Sequence, residues 1–342
     1  MNALLFKFNS IIKTICLTLL LGVFLGCNSS SVDDALELAD GVERKSIDYS
    51  ILGANAFGND PRFGSIGVQY AELSSVLRIK RVRILMNWDD GVQASPTAAP
   101  NFSFYDDLIA AIPGDVEVLA VVADLPSWMQ DKSNWVNGNP RETFVRDFFT
   151  KVLNRYPRVS TWQIWNEPND PANPDNTTLA VINSAEDYVE MLALAYSQLQ
   201  ASGSSAKLIN AATTAINQNF SGTLDYNRKM RDAGATSFIS AWAIHYYGEQ
   251  YENVVRPDGV ADFLNGLDKP IWVTESGEQG FDQQLEYAER TWPYLQDKID
   301  GLVRIYLYQF TEASPAGSTY GLRSLDEQNA LSDLYVNLRD RP

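Results

Sequence analysis

The chain has 342 residues, 45% of them hydrophobic, and a formal net charge of −16. Such a charge repels nucleic-acid phosphates and disfavours a polyanionic substrate, so no nucleic-acid partner is expected. With two cysteines, Cys16 and Cys27, and one histidine, His245, a disulfide framework and a His-rich metal site are excluded, and neither a metal nor a cofactor is expected.

The N-terminus is read first as a targeting segment. Lys7 and Lys13 precede an apolar run from residue 15 to residue 26. That run is shorter than the ~20 residues a transmembrane helix needs. It ends at Gly26-Cys27, followed by the polar Asn28-Ser29-Ser30. The pattern is similar to a bacterial lipoprotein signal, in which the cysteine is lipidated after cleavage. Residues 1–26 are expected to be the signal peptide, Cys27 the lipidation site and residues 27–47 a flexible tether. The protein is then expected outside the cytoplasm, anchored to a bacterial membrane, with the outer membrane or cell surface as its place. Residues 48–342 are expected to be one domain.

Along that domain, apolar and β-branched runs recur at residues 49–55, 81–87, 117–123, 161–165, 207–212, 241–246, 270–274 and 303–309. Helical periodicity fills much of the space between. Residues 143–156 repeat apolar side chains at Phe144, Phe148 and Val152. Residues 185–200 do so at Tyr188, Met191, Leu192, Ala195 and Leu199, with Ser184 placed as an N-cap. Further helices are predicted over 284–299 and 328–338. Eight strand–helix units of this kind form either an open doubly wound sheet or a (β/α)₈ TIM barrel. No G-x-G-x-x-G follows the first strand and no G-x-x-x-x-G-K occurs, so the barrel is preferred.

In such a barrel, chemistry belongs at the C-terminal ends of strands. The fourth run ends in Trp165-Asn166-Glu167-Pro168 and the seventh in Thr274-Glu275-Ser276-Gly277. Two glutamates at the ends of roughly opposite strands are what glycosidic bond hydrolysis requires. One carboxyl protonates the leaving oxygen. The other attacks the anomeric carbon or activates water, depending on a distance that residue order does not reveal. Glu278 competes with Glu275, but Glu275 ends the apolar run directly.

W-N-E-P after strand four, with a glutamate after strand seven, resembles the large clan of retaining (β/α)₈ glycoside hydrolases. Arg81-Val82-Arg83-Ile84 is similar to the clan's second strand, Pro126-Ser127-Trp128 to its third-strand segment, and His245-Tyr246-Tyr247 to its H-x-Y motif. Tyr320-Gly321-Leu322 through Asp326 resembles the closing segment of family 39-like members. The resemblance spans about residues 48–338. It implies Glu167 as acid/base and Glu275 as nucleophile, with Asn166 on the sugar 2-hydroxyl. It further implies Arg83 and Tyr247 on Glu275, and His245 near both carboxylates.

Many clan members end strand eight in a Trp. Here the run is Tyr306-Leu307-Tyr308-Gln309-Phe310; Gln309 is taken as a substrate contact, and which ring faces the pocket stays open. Trp88, Trp128, Trp135 and Trp165 are candidate sugar platforms, of which Trp128 and Trp88 are carried forward. The expected function is a monomeric, retaining β-glycosidase acting on an extracytoplasmic poly- or oligosaccharide, with endo action favoured. Its alternatives are a non-catalytic glycan-binding lipoprotein and a hydrolase trimming the cell's own exopolysaccharide. A Schiff-base aldolase is disfavoured, because Lys207 and Lys269 fall at strand beginnings.

Overall fold

The computed structural model describes residues 38, 41–179, 184–325 and 330–342. The signal segment, Cys27, most of the tether and Asp326 therefore lie outside the described residues. Among the described residues, no helix is long and apolar enough to cross a membrane.

Eight parallel strands form one sheet in the order β5-β4-β3-β2-β1-β8-β7-β6. They are β1 (Leu52–Asn55), β2 (Arg81–Asn87), β3 (Glu117–Ala123), β4 (Thr161–Ile164), β5 (Lys207–Asn210), β6 (Trp242–Tyr247), β7 (Ile271–Gly277) and β8 (Leu302–Leu307). One backbone bridge, Ile209 to Ala241, brings β5 to β6. The Asn210 side chain completes that seam. It accepts from Ala243 N at 2.8 Å and donates to Ala243 O at 3.1 Å, standing in for a missing ladder pair. The result is the expected (β/α)₈ barrel.

Each predicted run contains a strand, with its ends adjusted. The first is shorter than expected, because the Asp48 carboxylate accepts from Ser50 N and turns Tyr49–Ile51 into a 3₁₀ turn. The seventh is longer and reaches Gly277. Pro140–Phe144, Val145–Phe149 and Thr150–Arg155 form one continuous helix, α1, with a π-helical middle. Pro174–Leu179 forms α2, and Ala185–Ser202 forms α3. Ser184 caps α3 by accepting from Glu186 N and Asp187 N, and Gly203 closes it at φ 68°, a left-handed turn that glycine adopts without Cβ strain. Gln284–Lys298 forms α4. The last helix, α5, runs over Asp333–Asp340. It starts later than the predicted 328 because Ser332 takes the N-cap, accepting from Tyr335 N.

The core has two parts. The larger lies between strands and helices, where Trp162, Trp165, Trp242 and Trp292 are buried. The smaller fills the barrel interior with Leu119, Ile209, Ala212, Ala241, Ala243, Trp272 and Tyr306. Gly53 on β1 makes room for this plug: a Cβ there would lie 2.5 Å from Tyr306 Cδ1. The lower barrel is thus packed with apolar side chains, which leaves its polar residues for the C-terminal mouth.

Candidate active site

Arg83 points from β2 into the barrel and is 2% exposed. A guanidinium buried this deeply needs its donors satisfied. Its Nε donates to Gln163 Oε1 at 2.9 Å, and its Nη1 to Asn55 Oδ1 at 2.7 Å. Nη1 also donates to Glu275 Oε1 at 2.6 Å, and Nη2 to Asn166 Oδ1 at 2.8 Å. Asn55 and Gln163 are held in turn. Asn55 Nδ2 donates to Thr274 O and Leu307 O, and Gln163 Nε2 to Asn210 O. Neither residue was singled out from sequence. The available signal was a polar side chain inside an otherwise apolar strand run.

Glu275 reaches Arg83 because β7 bulges. Ile244 pairs with Val273 and the next residue, His245, with Glu275, so Thr274 is extra against β6. Against β8, Val273 pairs with Ile305 and Ser276 with Leu307. A bulge of this kind re-aims a side chain locally. Tyr247 donates to the other carboxylate oxygen, Oε2, at 2.9 Å. Burial pushes the Glu275 carboxyl up, but the field of His245 and Arg83 and the hydrogen bonds from Tyr247 and Arg83 outweigh it. The group is held below the usual carboxylate value. Burial and the Glu275 charge raise the Tyr247 phenol well above its ordinary value, which keeps it a donor. Glu278 lies further out, its Oε1 accepting from Gln279 N.

Glu167 follows β4 on a tightly clamped turn. Trp165 and Glu167 both have positive φ, 72° and 44°, conformations that cost on the order of 1–3 kcal/mol each for non-glycine residues. Hydrogen bonds hold them there. Trp165 N donates to Val122 O, and Glu167 N to Ala212 O. Asn176, fully buried on α2, accepts from Trp165 Nε1 at 2.7 Å and donates to Glu167 O at 2.9 Å. The Glu167 side chain stays 27% exposed, against 11% for Glu275. His245 is fully buried between the two carboxylates. Its Nδ1 is 2.8 Å from Glu167 Oε1. Its Nε2 is 3.3 Å from Glu275 Oε1, without the alignment of a hydrogen bond.

Glu167, His245 and Glu275 place one donor atom each within 4.8 Å of one another. That spacing also suits a metal ion, but the Arg83 guanidinium on Glu275 repels a dication. The nearest oxygens of the two carboxyls thus lie closer than the ~6.5–9.5 Å separation of inverting glycosidases, toward the ~5–5.5 Å of retaining ones.

The aromatic candidates separate. Trp88 is wholly buried, stacked on Phe148 at 5.7 Å with its indole N–H on Gln93 Oε1. It offers no face to a ligand, which corrects its reading as a platform. Trp165 is equally buried. Trp128 is half-buried, edge-on to Trp88 at 5.2 Å, and donates to Gln93 O. On the opposite rim, Tyr308 meets Tyr247 at 6.2 Å and Tyr320 at 5.9 Å. Burial and the charge of Glu275 raise its phenol. Tyr306 belongs to the interior plug instead, so Tyr308 is the strand-eight ring beside the carboxylates. Gln309 is buried at the same end. Its backbone N donates to Tyr320 O and its carbonyl accepts from Leu322 N, which fastens the closing segment.

A family model described as the glycosyl hydrolase catalytic core matches residues 136–335. No curated protein matches the chain in sequence. Among solved structures, a family 39 glycoside hydrolase from Bacteroides cellulosilyticus WH2 is similar with a TM-score of 0.59 and 16% identity, covering 86% of this chain. The chain spans 63% of that enzyme's length. The catalytic domain of a family 30 xylanase from Talaromyces cellulolyticus has a TM-score of 0.58 and 14% identity, with 87% of this chain and 76% of that one covered. A β-glucosidase from Thermotoga maritima, in complex with deoxynojirimycin, has a TM-score of 0.58 and 13% identity, covering 86% and 98%. At these identities the likeness is one of fold.

The hydrogen bond from Tyr247 lowers the Glu275 pKa, so its loss must raise it. In Tyr247→Phe the carboxyl, followed by carbon-13 NMR, is expected to titrate at higher pH than in the wild type. An unchanged or lower midpoint would contradict this electrostatic account.

Proposed function

The chain belongs to the glycosyl hydrolase catalytic core family and is a glycosidase, and we propose that it cleaves β-glycosidic bonds with retention, by double displacement. The spacing of the two carboxylates carries this reading: oxygens of Glu167 and Glu275 lie within 4.8 Å. A spacing of this order favours the ~5–5.5 Å arrangement of retaining enzymes over the ~6.5–9.5 Å that an intervening water requires.

Glu275 is the nucleophile in this mechanism. Its pKa is held down, so it is ionised when the sugar arrives, and its carboxylate attacks the anomeric carbon. Glu167, the more exposed carboxyl, gives its proton to the leaving oxygen. In the second half it takes a proton from water, which displaces Glu275 from the anomeric carbon. His245 Nδ1 sits on Glu167 Oε1 and orients that carboxyl. The carbonyl of Asn166 is committed to Arg83, which turns its amide N–H₂ toward the substrate as a donor to the 2-hydroxyl. Gln309, Tyr308 and Trp128 supply the surrounding contacts.

The substrate is a poly- or oligosaccharide outside the cytoplasm. The support is the N-terminal pattern ending at Gly26-Cys27. Cys27 carries the lipid, the tether spaces the barrel from a bacterial membrane, and the enzyme acts as a monomer.

Glu167→Gln is expected to lower kcat by about 10²–10⁴-fold on substrates with poor leaving groups, the contribution of a positioned acid. Glu275→Gln should abolish turnover on every substrate. Assays with aryl β-glycosides and β-linked polysaccharides check both, and a substrate cleaved equally well by both variants refutes the assignment. Fatty-acid labelling in the source cell type tests the anchor. Label should enter the wild type and be lost in Cys27→Ser; its persistence would exclude Cys27 as the site.

A further inference from the structure

A groove of about 730 Å³ opens on the same face as the two carboxylates, between the loops that follow β3 and β4. Gln130, Lys132, Trp135 and Pro140 line one side, and Pro174, Thr177 and Thr178 on α2 line the other. We propose that this groove is a distal sugar subsite for the leaving-group portion of a glycan chain, with Trp135 as its platform. The inference rests on the reading of the chain as a glycosidase. It extends that reading to a substrate several sugars long, cut internally.

Three observations carry it. The first is position. Asn176 donates to the carbonyl of Glu167, and its α2 neighbours Pro174 and Thr177 line the groove on either side of it. Glu167 protonates the leaving oxygen, so the leaving chain departs on its side of the barrel. Glu275 and the Tyr247, Tyr308 and Tyr320 rings occupy the β6–β8 side instead.

The second is rigidity. The Trp135 indole N–H is spent on Met129 O at 2.8 Å, and its backbone N donates to Lys132 O. Gln130 Nε2 donates to Thr178 Oγ1 at 2.7 Å across the groove, and Asp175 Oδ2 accepts from Leu125 N. The two loops are therefore joined before any ligand arrives, which reduces the ordering cost of binding.

The third is chemistry. A half-buried indole and two prolines offer apolar surface to the C–H face of a pyranose, while amide and hydroxyl groups at the edges offer hydrogen bonds. Lys132 Nζ lies 5.5 Å from the Trp135 ring centroid. It adds a mobile donor at the rim. The volume falls in the ~300–1,000 Å³ range of ligand sites.

The test uses the full chain carrying Glu275→Gln, so that ligands survive. Cellohexaose, laminarihexaose, xylohexaose and mannohexaose are titrated while the Trp135 indole N–H signal, identified by its loss in Trp135→Phe, is followed by NMR. At least one of them should shift that signal, and adding Trp135→Ala should weaken its binding about tenfold. Wild-type turnover of aryl β-glycosides reports separately on the catalytic reading. If no hexasaccharide shifts the signal, or if affinity survives Trp135→Ala, the subsite is refuted while the glycosidase reading stands. If the wild type turns over no aryl glycoside, it is the catalytic reading that fails.

Discussion

The ion pair between Arg83 and Glu275, 2.6 Å long and almost entirely buried, is the constraint around which the mouth of the barrel is arranged. A carboxylate at that depth would ordinarily neutralise itself by taking a proton. His245, the guanidinium and Tyr247 together prevent this, but the guanidinium introduces a buried cation with donors of its own to satisfy. Asn55 from β1, Gln163 from β4 and Asn166 beyond β4 accept them. Asn55 and Gln163 are pinned in turn by backbone carbonyls of β5, β7 and β8. One charge pair thus explains why the upper barrel is a polar network, while the lower barrel is filled by Tyr306, Trp272 and small apolar residues. The network is poorly suited to stabilising the fold, since buried ion pairs return little net energy. Its value is that it holds Glu275, the proposed nucleophile, ionised and aimed.

The side of Glu167, the proposed acid/base, is built on a different principle. Glu167 is more open and stands on a backbone turn with two left-handed residues in three positions. Asn176 holds this turn by bridging Trp165 and Glu167. The same asparagine sits on α2, the wall of the Trp135 groove. The groove is therefore mechanically close to Glu167, the proposed proton donor. His245 lies between the two halves, on Glu167 by one ring nitrogen and near Glu275 by the other. Two carboxyls of one residue type are thereby placed in unlike surroundings, as the different tasks proposed for them require.

Much of this was legible in the sequence because barrels repeat one simple unit. Runs such as residues 81–87 and 117–123 are mostly apolar, since both faces of the strand are largely buried, and their strands coincide with the runs. W-N-E-P and T-E-S-G announce themselves by standing at run ends. The misses have physical causes. Trp88 looks like a platform because an indole suits both a sugar and a core, and only packing against Phe148 decides. The β7 bulge that aims Glu275 leaves no trace in residue type. Asn55, Gln163 and Asn176 escape notice because a buried amide is informative only once its partners are known. The start of α5 was misplaced because periodicity carries past the Ser332 cap.

Stereochemistry tests the central claim most directly. With an aryl β-glycoside that the wild type hydrolyses, proton NMR reads the anomeric configuration of the first sugar released, before mutarotation scrambles it. Two carboxylates this close predict the β-anomer as the initial product. Initial release of the α-anomer would mean a single displacement by water, and would contradict the assignment of Glu275 as nucleophile.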